Sequence, residues 1–180
     1  CSSKDGDSIM AVIEAIETVY LEADAATVTF SSIPATYEHL QLKFSAAANH
    51  TDIVACYFKY NGDTTNSNYR SIRMRGTAST VSAGVADTGG PLLFSFGPTL
   101  PAASFGVGIL DILDYANANK NGAILCTRGG NNDSASTPDI AGMNTGLWDD
   151  TTAIHTITIT VSSGSMARGS EFTLYGIKSS

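Results

Sequence analysis

The chain has 180 residues, 43% of them hydrophobic and only 15% charged, with a formal net charge of −7. So much apolar content with so little charge excludes global disorder, and the length suits one domain that buries a core without disulfide or metal staples. The acidic balance argues against nucleic acid as the main partner, and apolar runs such as Met10–Ile13, Ile53–Phe58 and Val107–Leu110 are far shorter than the ~20 residues of a membrane-spanning helix.

Residues 1–9 read as a polar tail and 10–180 as a single domain. Cys1 heads that tail without a methionine. Two readings stand: the lipid-modified cysteine of a bacterial lipoprotein, or sequence ahead of a natural start at Met10-Ala11. The first periodic segment is ambiguous. Val12, Ile13, Ile16, Val19 and Tyr20 trace a helical stripe, but the β-branched content favours a strand from about residue 15.

From residue 25 onward, period-2 alternation dominates. Val28 and Phe30 alternate with Thr27 and Thr29; Leu40, Leu42 and Phe44 alternate with Gln41 and Lys43; Val54, Cys56, Phe58 and Tyr60 share one parity. Near the end, His155, Ile157, Ile159 and Val161 alternate with threonines, and Phe172 and Leu174 with Thr173 and Tyr175. Such runs mark half-buried strands. Turn signals separate them at Ser32–Pro34, Asn61-Gly62-Asp63, Gly129–Asp133 and Ser162–Ser165. Short strands with this punctuation predict an all-β, antiparallel, jelly-roll-like sandwich with Trp148, Phe172 and Leu174 in its core. The small, polar stretch Thr77–Gly90 and the stiffer Gly97–Pro101 read as loops. Asn61-Gly62 reads as a hairpin turn.

Motifs for chemistry are sparse. The three cysteines follow no CxxC or Cys/His spacing, so no zinc site is expected. Cys56 and Cys126 read as small buried hydrophobes, and they can pair only if their strands are neighbours. Three histidines occur without a GxSxG, and no catalytic residue is expected. Asp111, Asp114, Asp149, Asp150 and Asn131-Asn132-Asp133 offer oxygens, but no calcium-loop pattern contains them. No metal and no cofactor is expected. Arg70, Arg73 and Arg75, with Lys59 nearby, form the basic cluster of an acidic chain, either a solvated sheet face or an inter-subunit salt-bridge surface.

Three stretches carry a family resemblance. They are Ile16-Glu17-Thr18-Val19 with Thr27–Leu40, then Phe58–Asp63 with Ser67-Asn68-Tyr69, and finally Gly146-Leu147-Trp148 with Thr152-Ala153-Ile154 and Gly169–Ile177, which reads GS-x-F-x-LYGI. Read from Met10, the chain resembles a group of small tailed-phage virion proteins. That resemblance implies a β-sandwich on the outside of a virion, a decoration protein or fibre element without enzymatic activity. The implied partners are other virion proteins and further copies of the chain, with a trimer favoured because virion decorations often occupy threefold positions. The alternative is a carbohydrate- or receptor-binding module for a host-surface glycan, on a fibre or a bacterial surface lipoprotein. For that role Tyr37, Tyr69 and Tyr115 are the stacking candidates.

Overall fold

Alternating residues can put one sheet face on a core and the other in water, and most of this chain folds accordingly. The computed structural model describes residues 12–50, 54–77, 80–85, 105–130 and 140–178, and the backbone of 92–96. The polar tail, Gly97–Pro101 and Asn131-Asn132-Asp133 lie outside the described residues. In chain order the strands are β1 Val12–Tyr20, β2 Thr27–Phe30, β3 His39–Ala46, β4 Ala48–Asn49, β5 Val54–Tyr60, β6 Tyr69–Thr77 and β7 Thr80–Val85. There follow β8 Leu92–Phe96, β9 Gly106–Leu113, β10 Gly122–Gly130, β11 Ile140–Trp148, β12 Ile157–Val161, β13 Ser165–Met166 and β14 Glu171–Lys178. Among the described residues the helical content is a three-residue 3-10 turn at Asn66–Asn68.

Antiparallel pairing builds an eight-stranded sheet, β1-β14-β3-β9-β10-β11-β6-β7, a four-stranded sheet, β2-β12-β5-β8, and a two-stranded ribbon, β13-β4. The protein is an all-β sandwich. Its core forms between the two main sheets: Leu40, Leu42, Phe44, Leu110, Ile112, Phe172 and Leu174 come from the long sheet, and Val28, Phe30, Val54, Cys56, Phe58, Ile157 and Ile159 from the short one. All are buried. The outer face of the short sheet carries threonines, with Thr29 and Thr158 3.4 Å apart across β2 and β12.

Three local features depart from the sequence expectations. β1 starts at Val12, not near residue 15, and is a strand throughout. Its pairing with β14 slips between Ala15 and Glu17. That bulge lets Ile16 and Val19, an odd number of residues apart, both pack against the core, and so an apparent helical stripe belongs to a bulged strand. Part of the expected Thr77–Gly90 loop is strand: β7 pairs with β6 from Thr77↔Thr80 to Ile72↔Val85. Thirdly, Asn61 and Gly62 take the positive φ values of a tight turn, 49° and 72°, closed by Asp63 N–H donating to the Tyr60 carbonyl. The turn makes no hairpin, because β5 and β6 belong to different sheets. The Asn61 side chain fixes the crossing. Its amide donates to the Ala153 carbonyl, and its oxygen accepts from the backbone of His155 and Thr156.

Close packing makes one glycine indispensable. At Gly108 on β9 the Phe44 ring lies across the backbone, and an added Cβ would stand 2.1 Å from Phe44 Cζ. Gly108→Ala must push that ring out of the core, and overpacking of this kind costs about 1–3 kcal/mol. Urea unfolding should show that loss; an unchanged midpoint would contradict the packing described.

Candidate functional site

Registers without slippage carry one parity of β9, β10, β11, β6 and β7 onto the outer side of the long sheet. One row runs Val85, Ile72, Thr145, Leu125. The next runs Ala83, Met74, Met143, Thr127, Ile109, and a third runs Val81, Gly76, Ala141, Gly129, Val107. Water normally receives polar side chains on such a face, yet here Val81 is 81% exposed, Val85 66%, Ile72 60% and Val107 56%. Met74, Met143, Ile109, Leu113 and Leu125 are also open to solvent. Among the described residues of this face, charge appears toward the rim: Asp111 is beside Leu125, Lys43 beside Ile109, and Arg70 beside Leu147. Two hollows, of about 460 Å³ and about 290 Å³, lie along it, the first lined by Val107, Ile109 and Thr127, the second by Met74, Val81 and Met143. β7 is exposed at all six positions and forms one end of the sheet. Sequence reasoning overlooked this face, because it read β7 as loop.

The basic cluster divides across the sheet. Arg70 projects outward and sits 3.9 Å from Asp149, an exposed pair of small energetic worth. Arg73 and Arg75 have the opposite parity, half-buried on the side of Tyr69 and Ser71. Lys59 is on β5 of the other sheet, 3.5 Å from Asn66.

Burial corrects two of the three tyrosine candidates. Tyr69 and Tyr115 are core residues, 8% and 3% exposed, with no open ring face for a sugar. Tyr115 donates its hydroxyl to the Pro34 carbonyl, and Tyr69 donates its own to the Asp63 carbonyl. Tyr37 is half-buried, its ring fills the space above Gly176, and its hydroxyl donates to Glu14 3.1 Å away. Tyr115 finds its partner far along the chain, which local spacing does not reveal, whereas Tyr69 bonds the turn just before its own strand. Trp148 is buried beside Tyr60, with ring centroids 5.4 Å apart, and Phe172 and Leu174 are fully buried. Cys56 and Cys126 are both buried and are not joined by a disulfide. Burial pushes the Cys126 thiol up to about 12, which suppresses the reactive thiolate.

Other polar groupings are occupied by structural bonds. Glu38, His39 and Asp114 bring ligand atoms within 4.8 Å of one another, a juxtaposition sequence reading missed because β3 and the β9 terminus meet only in the fold. His39 Nδ1 already accepts the Asp114 backbone N–H at 3.0 Å, and Lys120 pairs with the Asp114 carboxylate. A cation there would have to displace that lysine. Asp111 accepts from Gln41 at 2.7 Å, and Asp150 caps the Thr152 N–H at 2.6 Å. Ser163 Oγ is 3.0 Å from His50 Nε2, an exposed contact.

Asp63 is the polar pin at this end of the molecule. It accepts from Trp148 Nε1 at 2.8 Å, Asn68 at 3.0 Å and the Thr65 N–H at 2.8 Å. It thereby ties the β5–β6 connection to the end of β11. Burial opposes its charge, but the bonds from Trp148, Asn68 and Thr65 prevail and hold the carboxyl at about 2. Comparison with family models and with curated proteins finds no match.

The depressed Asp63 pKa has a definite sign. Unfolded aspartate titrates near ~3.9, so this carboxylate contributes stability above about pH 4, and loses it as pH falls toward 2. Asp63→Asn should lower stability at pH 7 by on the order of 1–2 kcal/mol after solvent screening. Denaturant titrations should show the gap from wild type closing by about pH 2; a gap independent of pH would contradict this role.

Proposed function

We propose that this chain is a non-enzymatic structural protein of a tailed-phage virion, displayed on the particle surface as a capsid decoration or tail-fibre component. It acts through protein–protein contacts and assembles with copies of itself, as a trimer by the resemblance. The observation that carries the contact mechanism is the outer face of the long sheet. Val81, Val85, Ile72 and Val107 are each more than half exposed on one face, and contiguous exposed apolar side chains of this kind mark interaction surfaces. An apolar centre with Asp111, Lys43 and Arg70 at its rim matches the anatomy of protein interfaces. The end strand β7 adds a sheet edge that a neighbouring copy can cover.

The strand order supports a jelly roll as the finer description. Removing the hairpins β6-β7 and β10-β11 and the short ribbon leaves the rows β1-β14-β3-β9 and β2-β12-β5-β8. Successive strands alternate between those rows, β1 to β2 to β3 to β5, cross within the short row to β8, and return through β9, β12 and β14. Two interleaved four-stranded rows of this kind occur in jelly rolls, a fold of viral capsid and lectin domains. The virion setting itself rests on the resemblance of the Thr27–Leu40, Phe58–Tyr69 and Gly146–Ile177 stretches.

Light scattering tests the mechanism. Wild type should give a multiple of 18.7 kDa at micromolar concentration. A Met74→Glu, Met143→Glu double variant, charged at directly paired positions, should fall to the monomer with its far-UV spectrum unchanged. A monomeric wild type, or a variant that still assembles, would overturn the reading.

A further inference from the structure

The inward side of the long sheet changes character beyond the core. On β10, Ile124, Cys126 and Arg128 share the inward parity; β11 contributes Gly142 and Asn144, and β6 Arg73 and Arg75. Register aligns Arg128 with Gly142 and Gly142 with Arg75, one row from Cys126, Asn144 and Arg73. Gly142 lacks a side chain between the two arginines. Arg128 Nε lies 3.4 Å, and Arg75 Cβ 3.5 Å, from where a Cβ on that glycine would stand.

Arg128 is 8% exposed, and its Nε, Nη1 and Nη2 are all buried without a hydrogen-bond partner among the described residues. No ion pair among the described residues includes Arg128, Arg73 or Arg75. A guanidinium does not escape this cost by losing its proton, as a lysine can. Burial pushes the Arg128 pKa below its ordinary value; the Cys126 thiol opposes the push, and the nearby Arg73 and Arg75 reinforce it. An unpaired buried charge next to two like charges is strongly unfavourable, and the remedy is an opposite charge that also accepts hydrogen bonds.

We propose that Arg128, Arg75 and Arg73 form an oxyanion-binding site that takes a carboxylate or phosphate group. The planar fork of a guanidinium matches the paired oxygens of both groups. Nothing in this site depends on the virion setting. The oxyanion has two sources: a small free anion, or an acidic side chain of a second copy of this strongly acidic chain.

Thermal unfolding in inorganic phosphate, against sodium chloride of equal ionic strength, distinguishes them. Comparison with Arg128→Met and with an Arg73→Gln, Arg75→Gln double variant removes the general effect of phosphate on protein stability. A free-anion site predicts a saturable rise of several degrees in wild type, as mass action requires, and no such rise in either variant. A carboxylate supplied by a second copy predicts no phosphate response, but a lower assembly mass by light scattering in both variants. Equal phosphate responses and equal masses in all three proteins would overturn the site. Should Arg128→Met fail to fold, the double variant alone decides, since its half-buried side chains lie outside the core.

Discussion

The long sheet has eight strands and the sheet packed against it has four. A sheet face left without a partner must be polar, or be covered by something else. In this protein the constraint is met in three ways. Over β14, β3 and β9 the inward face is apolar and lies in the core. Farther along, β10, β11 and β6 turn inward-facing arginines, asparagine and serine to the same side. The outward face of that half stays apolar, with Ile72, Met74, Val81, Val85 and Val107 in water. On the reading proposed above, a neighbouring copy finishes that outer sheet.

The far end of the long sheet depends on a few polar bonds. Asp63 holds Trp148 and the Asn66–Asn68 turn, and Asn61 anchors the strand crossing to the segment before β12. These bonds set where β6 leaves the core and lies along β11. The same placement produces both the outward apolar rows and the inward arginines, since a strand delivers alternate residues to opposite faces. A shift of one residue in β6 would exchange Met74 and Ile72 for Arg73 and Arg75 on the outer surface.

Much of the fold is legible in the residues because alternation is local. Leu40, Leu42 and Phe44, or Val54 through Tyr60, reveal strand and burial at once. Where local pattern failed, long-range geometry supplied the missing term. The bulge at Ile16 disguised β1 as a helical stripe, and pairing with β6 made strand of the small, polar residues Thr80–Val85. Tyr69 and Tyr115 read as surface aromatics because their partners, Tyr60 with Asp63 and Pro34, are contributed by other elements. The outer face did leave a trace: Val107–Leu110 and Ala123–Cys126 are continuous apolar runs, not alternating ones. Such runs belong to strands covered on both sides, and among the described residues nothing covers this outer side.

Side-chain oxidation by hydroxyl radicals offers the most direct test of that missing cover. Met74 and Met143 lie at paired positions on the outer face, whereas Met166 is fully buried in the core and serves as an internal reference. The account predicts that oxidation of Met74 and Met143 falls as protein concentration rises through the micromolar range, while Met166 stays unreactive throughout. Rapid oxidation of Met74 and Met143 that is independent of concentration would leave the face in water and contradict the central claim.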